Sequence, residues 1–159
     1  MSQLIPPNLM IIVPAWNEEG AVGQVVESIR AVLPSVPVFV IDDRSDDATV
    51  NVAARAGASV LSLPVHLGLG GCVQTGYMLA FELGVEYVIR LDGDGQHNAT
   101  EIPNILAALI QTGADVANRA GLRDRSTHLA NDDAAAVAPD HGWADHHGAN
   151  SARAPGRAH

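Results

Sequence analysis

Four short apolar runs rich in β-branched residues alternate with longer stretches whose apolar residues recur every three or four positions. That alternation of periods specifies a parallel sheet with crossover helices, because parallel neighbours need a long connection and a helix is the usual one. Leu9 to Val13 reads as the first strand, followed by a helix from about Glu19 to Leu33 with Val22, Val25, Val26, Ile29 and Leu33 on one face. Pro34 and Pro37 end it, and Val38 to Ile41 forms the second strand, closing on Asp42 and Asp43. Asp46 or Asp47 caps a short helix to Ala56, which Gly57 stops. Ser59 to Leu63 is the third strand, and the glycine-rich loop His66 to Gly71 opens a helix reaching Leu83. Glu86 to Leu91 is the fourth strand. Thr100 caps a helix with Ile102, Ile105, Leu106, Leu109 and Ile110 inside, and Ala114 to Ala117 begins a fifth strand.

From Asn118 to His159 the pattern stops. The large apolar residues there are Leu122, Leu129, Val137 and Trp143, at no regular period. Five arginines balance five aspartates in this segment, so the net charge of −9 arises entirely before it. Too little apolar surface is present to offset the entropy of ordering, and the tail is expected to be disordered. Asp140, His141, Asp145, His146 and His147 suggest a zinc cluster, but without a framework to fix their geometry compositional bias is the better account.

At 159 residues the chain has room for one ordinary domain. All nine basic residues are arginine, which excludes a Walker-type phosphate loop and Schiff-base lysine chemistry. No basic stripe exists to neutralise nucleic-acid phosphates. The single cysteine, Cys72, suits small buried packing. Met1 to Asn8 lacks the basic and apolar regions of a secretory signal, and no run reaches the roughly 18 apolar residues of a membrane span. A soluble, cytoplasmic chain is expected.

The polar residues with chemistry sit where strands end. Ile89-Arg90-Leu91-Asp92-Gly93-Asp94-Gly95-Gln96-His97 is an apolar strand running into two carboxylates one residue apart. Extended alternation would put Asp92, Asp94 and Gln96 on one side, a hard-oxygen set suited to Mg²⁺ or Mn²⁺ bridging a diphosphate. A solvated Asp-Gly turn is the plainer alternative. Pro14-Ala15-Trp16-Asn17-Glu18-Glu19 follows the first strand and Asp42-Asp43 the second. Asn17 and Glu18 could only cap a helix, and the aspartates could only be turn residues. Ligands of open parallel sheets bind outside the carboxyl ends of the strands, and right-handed crossovers bring these loops to one rim. A dinucleotide site would want a glycine fingerprint after the first strand, where Pro14, Trp16 and Asn17 stand. An EF-hand would need glycine and glutamate where His97 and Pro103 are. Receiver domains and haloacid-dehalogenase-type phosphatases would be expected to use a lysine.

Ile11-Ile12-Val13-Pro14-Ala15-Trp16-Asn17-Glu18-Glu19, Val40-Ile41-Asp42-Asp43-Arg44-Ser45-Asp46-Asp47, Leu67-Gly68-Leu69-Gly70-Gly71 and Leu91-Asp92-Gly93-Asp94-Gly95-Gln96-His97 together resemble family 2 glycosyltransferases. The likeness is closest to the dolichyl- or polyprenyl-phosphate sugar transferases and covers roughly residues 8–117. It implies an α/β fold of GT-A, Rossmann-like type with a mainly parallel sheet that binds a nucleotide-diphosphate sugar. By position, Pro14, Asn17, Glu18 and Gly70 would line the nucleotide pocket and Asp43, on a solvent-facing rim, would contact the base. Asp92 would lie near the ribose or metal, with Asp94 and Gln96 holding Mg²⁺ or Mn²⁺. The implied reaction is sugar transfer to a polyprenyl or dolichyl phosphate, whose lipid would bring the chain to a membrane surface.

The resemblance lapses at Asn118, where family members continue into a Gly-Ser-Arg-like segment and the acceptor-side residues that complete catalysis. The catalytic residues therefore remain unassigned, and the tail reads like GC-rich coding sequence out of frame. Two alternatives follow: a catalytically dead nucleotide-sugar-binding fragment or pseudogene product, and a small doubly wound module for another phosphate ligand.

Overall fold

The computed structural model describes residues 6, 8–95, 99–112, 116–118, 121–123 and 135–137. The elements are β1 (Leu9–Ala15), α1 (Val22–Val32), β2 (Val38–Asp42), α2 (Thr49–Arg55), β3 (Ser59–Ser62), α3 (Gly68–Glu82) and β4 (Tyr87–Arg90). A 3₁₀ turn at Ala99–Glu101 leads into α4 (Ile102–Thr112), followed by β5 (Val116–Asn118), β6 (Gly121–Arg123) and β7 (Ala135–Val137). The sheet order is β3-β2-β1-β4-β7-β5-β6. Strands β1 to β4 are mutually parallel, with Ile11 opposite Val38 and Ile89, whereas β7 pairs antiparallel with β4 and with β5.

Every residue of β1 is buried, as a central strand covered on both faces must be. Alternation divides it. Leu9, Ile11, Val13 and Ala15 pack with Val22, Val25, Val26 and Ile29 of α1 and with Ile102, Leu106 and Leu109 of α4. Met10 and Ile12 face the other way, into a cluster with Ile41, Cys72, Ala80 and Val88 beneath α3. Gly76 permits this approach of α3, since a Cβ there would come within 2.8 Å of Ile12 Cδ1.

The chain fills β2 and β3 on one side of β1 and then returns to place β4 on the other. The order of strands therefore reverses between β1 and β4, opening a crevice at their carboxyl ends. This is where the polar loops converge.

Helix α1 starts at Val22, where its apolar face begins and three residues after the expected Glu19, because Glu18 to Ala21 form a turn in which Glu18 O accepts the N–H groups of Ala21 and Val22. β4 ends at Arg90, but its bonding to β1 continues through Leu91 N–H to Ile12 O and Gly93 N–H to Pro14 O; Gly93 and Asp94 then lie in a turn. Strands β6 and β7 fall inside the segment expected to lack periodic structure, whose other residues beyond 118, including the histidine and aspartate cluster, lie outside the described residues. Among the described residues no helix is long and apolar enough to cross a membrane.

Candidate functional site

Two loops build one wall of the crevice and are joined by side chains. Asn17, at φ 53°, donates its N–H to Ser45 Oγ at 2.8 Å and accepts the Asp46 N–H on Oδ1 at 2.9 Å. Glu18 N–H reaches Thr49 Oγ1 at 2.8 Å, and Glu19 N–H reaches Asp47 Oδ2 at 3.2 Å. The Glu19 carboxylate takes the Ala48 N–H at 2.9 Å. Thr49 is fully buried and also donates its hydroxyl to Asp47. Asn17 tolerates its left-handed backbone because a short amide side chain is among the few that adopt it readily. The sequence signal for Ser45 and Thr49 was available: hydroxyl residues in a turn after an aspartate pair commonly bond backbone groups.

Asp42 and Asp43 are both 2% exposed. Asp42 Oδ1 accepts the Ser45 N–H at 3.1 Å. Asp43 lies inward, contrary to the solvent-facing position expected for it: Oδ1 accepts Leu67 N–H and Oδ2 accepts Gly68 N–H, each at 2.7 Å. The physical reason is the opening turn of α3, whose backbone donors have no partner within the helix and draw the carboxylate in. His66 Nδ1 stands 2.9 Å from Asp43 Oδ2, and the imidazole leans on Trp16 with ring centroids 4.5 Å apart. Motif reading passed over this Trp16–His66 pair, since nothing local in sequence connects the two positions. Gly70 sits exposed in the first turn of α3, on the same rim.

The opposing wall is the turn after β4. Gly93 N–H bonds Pro14 O at 3.2 Å, and a Cβ at Gly93 would stand 3.1 Å from both Pro14 O and Ala15 Cβ. The missing side chain therefore lets this turn press against the end of β1. Asp92 is partly buried, with Oδ1 3.6 Å from Arg90 Nε, whereas Asp94 is exposed. Gln96 lies outside the described residues.

Electrostatics link the two walls. Burial, then the charge of Asp94 and that of Asp47, raises the Glu18 carboxyl above its ordinary value. Asp47 shifts the other way: burial opposes its charge, but hydrogen bonds from the Thr49 hydroxyl and from backbone N–H groups outweigh it. Among the described residues no three His, Cys, Asp or Glu side chains could enclose a metal ion by themselves. Mg²⁺ and Mn²⁺ sites on one or two carboxylates are completed by phosphate oxygens and water, and the Glu18–Asp94 side of the crevice suits that arrangement. Cys72 is no nucleophile. Burial, with Asp43 and Asp42 nearby, pushes its thiol up to about 12.

The family model of glycosyl transferase family 2 matches residues 10–127. A low-salt glycan biosynthesis hexosyltransferase of Haloferax volcanii is 32% identical over 117 residues, covering 71% of this chain and 27% of the relative. An undecaprenyl-phosphate mannosyltransferase of Micrococcus luteus is 29% identical over 106 residues, covering 64% of this chain and 44% of the relative. Among solved structures, the glucosyl-3-phosphoglycerate synthase of Mycobacterium tuberculosis in complex with Mn²⁺, uridine diphosphate and phosphoglyceric acid superposes with a TM-score of 0.59 at 26% identity, covering 69% of this chain and 41% of that one. The chain spans less than half the length of each of these three proteins.

Proposed function

The chain belongs to glycosyl transferase family 2, a family of nucleotide-sugar glycosyltransferases, and from that premise we propose that its crevice is the donor site of a metal-dependent sugar transferase acting on a polyprenyl or dolichyl phosphate. The observation that carries the reading is the convergence of three polar loops at the strand-order reversal, where Asn17 and Glu18 N–H groups bond Ser45 and Thr49 and Gly93 N–H bonds Pro14 O. Burial, and next the charge of Asp94, raises the Glu18 carboxyl there, a like-charge cost that a cation or a proton relieves. Pro14, Asn17, Glu18, Asp43 and Gly70 form the nucleotide side of the pocket, while Asp92 and Asp94 hold Mg²⁺ or Mn²⁺ beside the diphosphate. A bound divalent cation there supplies charge neutralisation for the diphosphate that leaves as the sugar's anomeric bond breaks.

The chain's own residues orient and select. The Asn17–Ser45 and Glu18–Thr49 bonds hold the β1 loop in its bound shape beforehand, which reduces the ordering cost of binding. Arg90 stands beside Asp92, with Nε 3.6 Å from Oδ1, and offsets part of its charge. The relatives supply the classes of substrate: one solved structure holds uridine diphosphate with Mn²⁺, and the named mannosyltransferase acts with undecaprenyl phosphate.

Calorimetry of uridine and guanosine diphosphates, with Mn²⁺ or with chelator, tests the donor site. Binding of either nucleotide only with the metal is expected; equal affinity in chelator overturns the metal assignment. Transfer of labelled sugar to polyprenyl phosphate tests the acceptor, and a labelled product recovered with another acceptor instead would redirect it.

A further inference from the structure

We infer that the apolar rim formed by Trp16, Val65, Leu67 and Leu69 docks on an uncharged bilayer surface, the one in which a polyprenyl phosphate acceptor would sit; this rests on the acceptor reading above. Val65, Leu67 and Leu69 take alternate positions from the end of β3 into the first turn of α3, and are 55%, 53% and 47% exposed. Trp16, in the loop after β1, is 52% exposed. His66 joins the two loops, its ring centroid 4.5 Å from that of Trp16. A Cβ at Gly68 or Gly70 would meet nothing within 4 Å, so the leucines between these glycines stand on open backbone. Single exposed apolar residues are ordinary, but four large ones on two touching loops make a patch of the kind that meets a partner.

The charge of the patch and its place select that partner. Between Asp47 and Glu82 the chain has no carboxylate, and between Arg55 and Arg90 no arginine. With no cation at the rim and a net charge of −9 behind it, the chain gains nothing from anionic lipid. Aliphatic side chains and an indole enter the headgroup boundary of a neutral bilayer without needing charge. The Leu67 and Gly68 N–H groups each bond the Asp43 carboxylate at 2.7 Å, which ties the loop to the edge of the crevice. A rim resting on the bilayer therefore holds the crevice mouth near the lipid phosphates. A few side chains of this size give weak, reversible binding, and an acceptor lipid held in the crevice supplies the second anchor.

The test is flotation of the 159-residue chain with phosphatidylcholine vesicles, comparing wild type with Val65→Ser/Leu69→Ser and with Ile110→Ser. Ile110 is 43% exposed on α4, which packs on the opposite face of the sheet, and controls for general stickiness. Wild type should bind the vesicles, the double variant about tenfold less, and Ile110→Ser as wild type does. Equal losses in the two variants overturn the inference. So does a wild type that stays in the soluble fraction, a result that needs no variant. Sedimentation velocity tests the other occupant: a wild type that pairs with itself, beside a monomeric double variant, assigns the rim to a second copy and overturns the bilayer. If polyprenyl phosphate accepts no sugar while wild type still floats through Val65 and Leu69, the acceptor reading falls and the docking surface stands. Transfer to polyprenyl phosphate, with a double variant that floats as well as wild type, overturns the docking surface alone.

Discussion

The two walls of the crevice are built in different ways. The β1–α1 and β2–α2 loops are laced by side chains, with Asn17, Glu19, Ser45, Asp47 and Thr49 each bonding backbone across the gap. The turn after β4 depends on glycine geometry: Gly93 presses against Pro14 and Ala15, Gly95 takes φ 79°, and Asp94 stands exposed. The first wall is rigid before any ligand arrives. The second presents charge to the opening, as suits a site whose remaining ligands come from a diphosphate and water. Shape is thus carried by one wall and charge by the other, and substitutions should separate the two.

The largest effect is expected on the charged wall. Asp94→Asn should weaken Mn²⁺-dependent binding of uridine diphosphate by about a hundredfold, while the melting temperature without metal stays the same or rises, because Glu18 loses a like-charged neighbour. Calorimetry beside thermal melts checks both, and a fall in melting temperature would mean the two walls are not separable. Thr49→Val attacks the laced wall. It leaves the part-buried Glu18 N–H without its partner and removes the hydroxyl bond to Asp47, whose Oδ1 keeps the backbone N–H of residue 49, and should cost about 1 kcal/mol of stability in urea titrations.

A finer comparison is possible at Asn17. Both Asn17→Ala and Asn17→Gly lose the bond from the Asp46 N–H, but only glycine accepts φ 53° without strain. The glycine variant should therefore be the more stable by about 1 kcal/mol. Equal denaturation midpoints would show that the loop rearranges instead of bearing strain.

The smallest effect concerns pH. Glu18 titrates higher in the folded chain than its ordinary 4.5, so the folded state binds the extra proton. Glu18's contribution to stability is full below that value and is lost as pH rises through the folded one. Asp47, lowered, acts in the opposite sense: its contribution is present above 3.8 and lost in more acid solution. Without metal, urea midpoints of wild type should decline as pH rises above 4.5, and those of Glu18→Gln should lack that decline. Saturating Mn²⁺ should remove the same decline from wild type by favouring the carboxylate.

The succession of strands and helices was legible because each obeys a local period, and β1 to β4 and α1 to α4 fall where the apolar spacing puts them, to within a few residues. The placing of polar loops at strand ends was legible for the same reason. The side-chain geometry within those loops was not. Extended alternation did not reveal that Gly93 and Asp94 turn away after Leu91 and Gly93 bond β1, with Asp92 partly buried near Arg90 and Asp94 exposed. The inward position of Asp43 was hidden too, because its partners, Leu67 and Gly68, lie more than twenty residues away.

By itself, then, the sequence determined a parallel α/β sheet with acidic and amide-bearing loops at its carboxyl ends. Periodicity and turn chemistry act over a few residues and need nothing more distant. Tertiary structure decided which loops meet: β4 lies beside β1, so burial and then the charge of Asp94 raise the carboxyl of Glu18, while β3 and α3 carry His66 over Asp43 and against Trp16. Those pairings come from burying both faces of β1 at once, a condition of the whole sheet that no single segment contains.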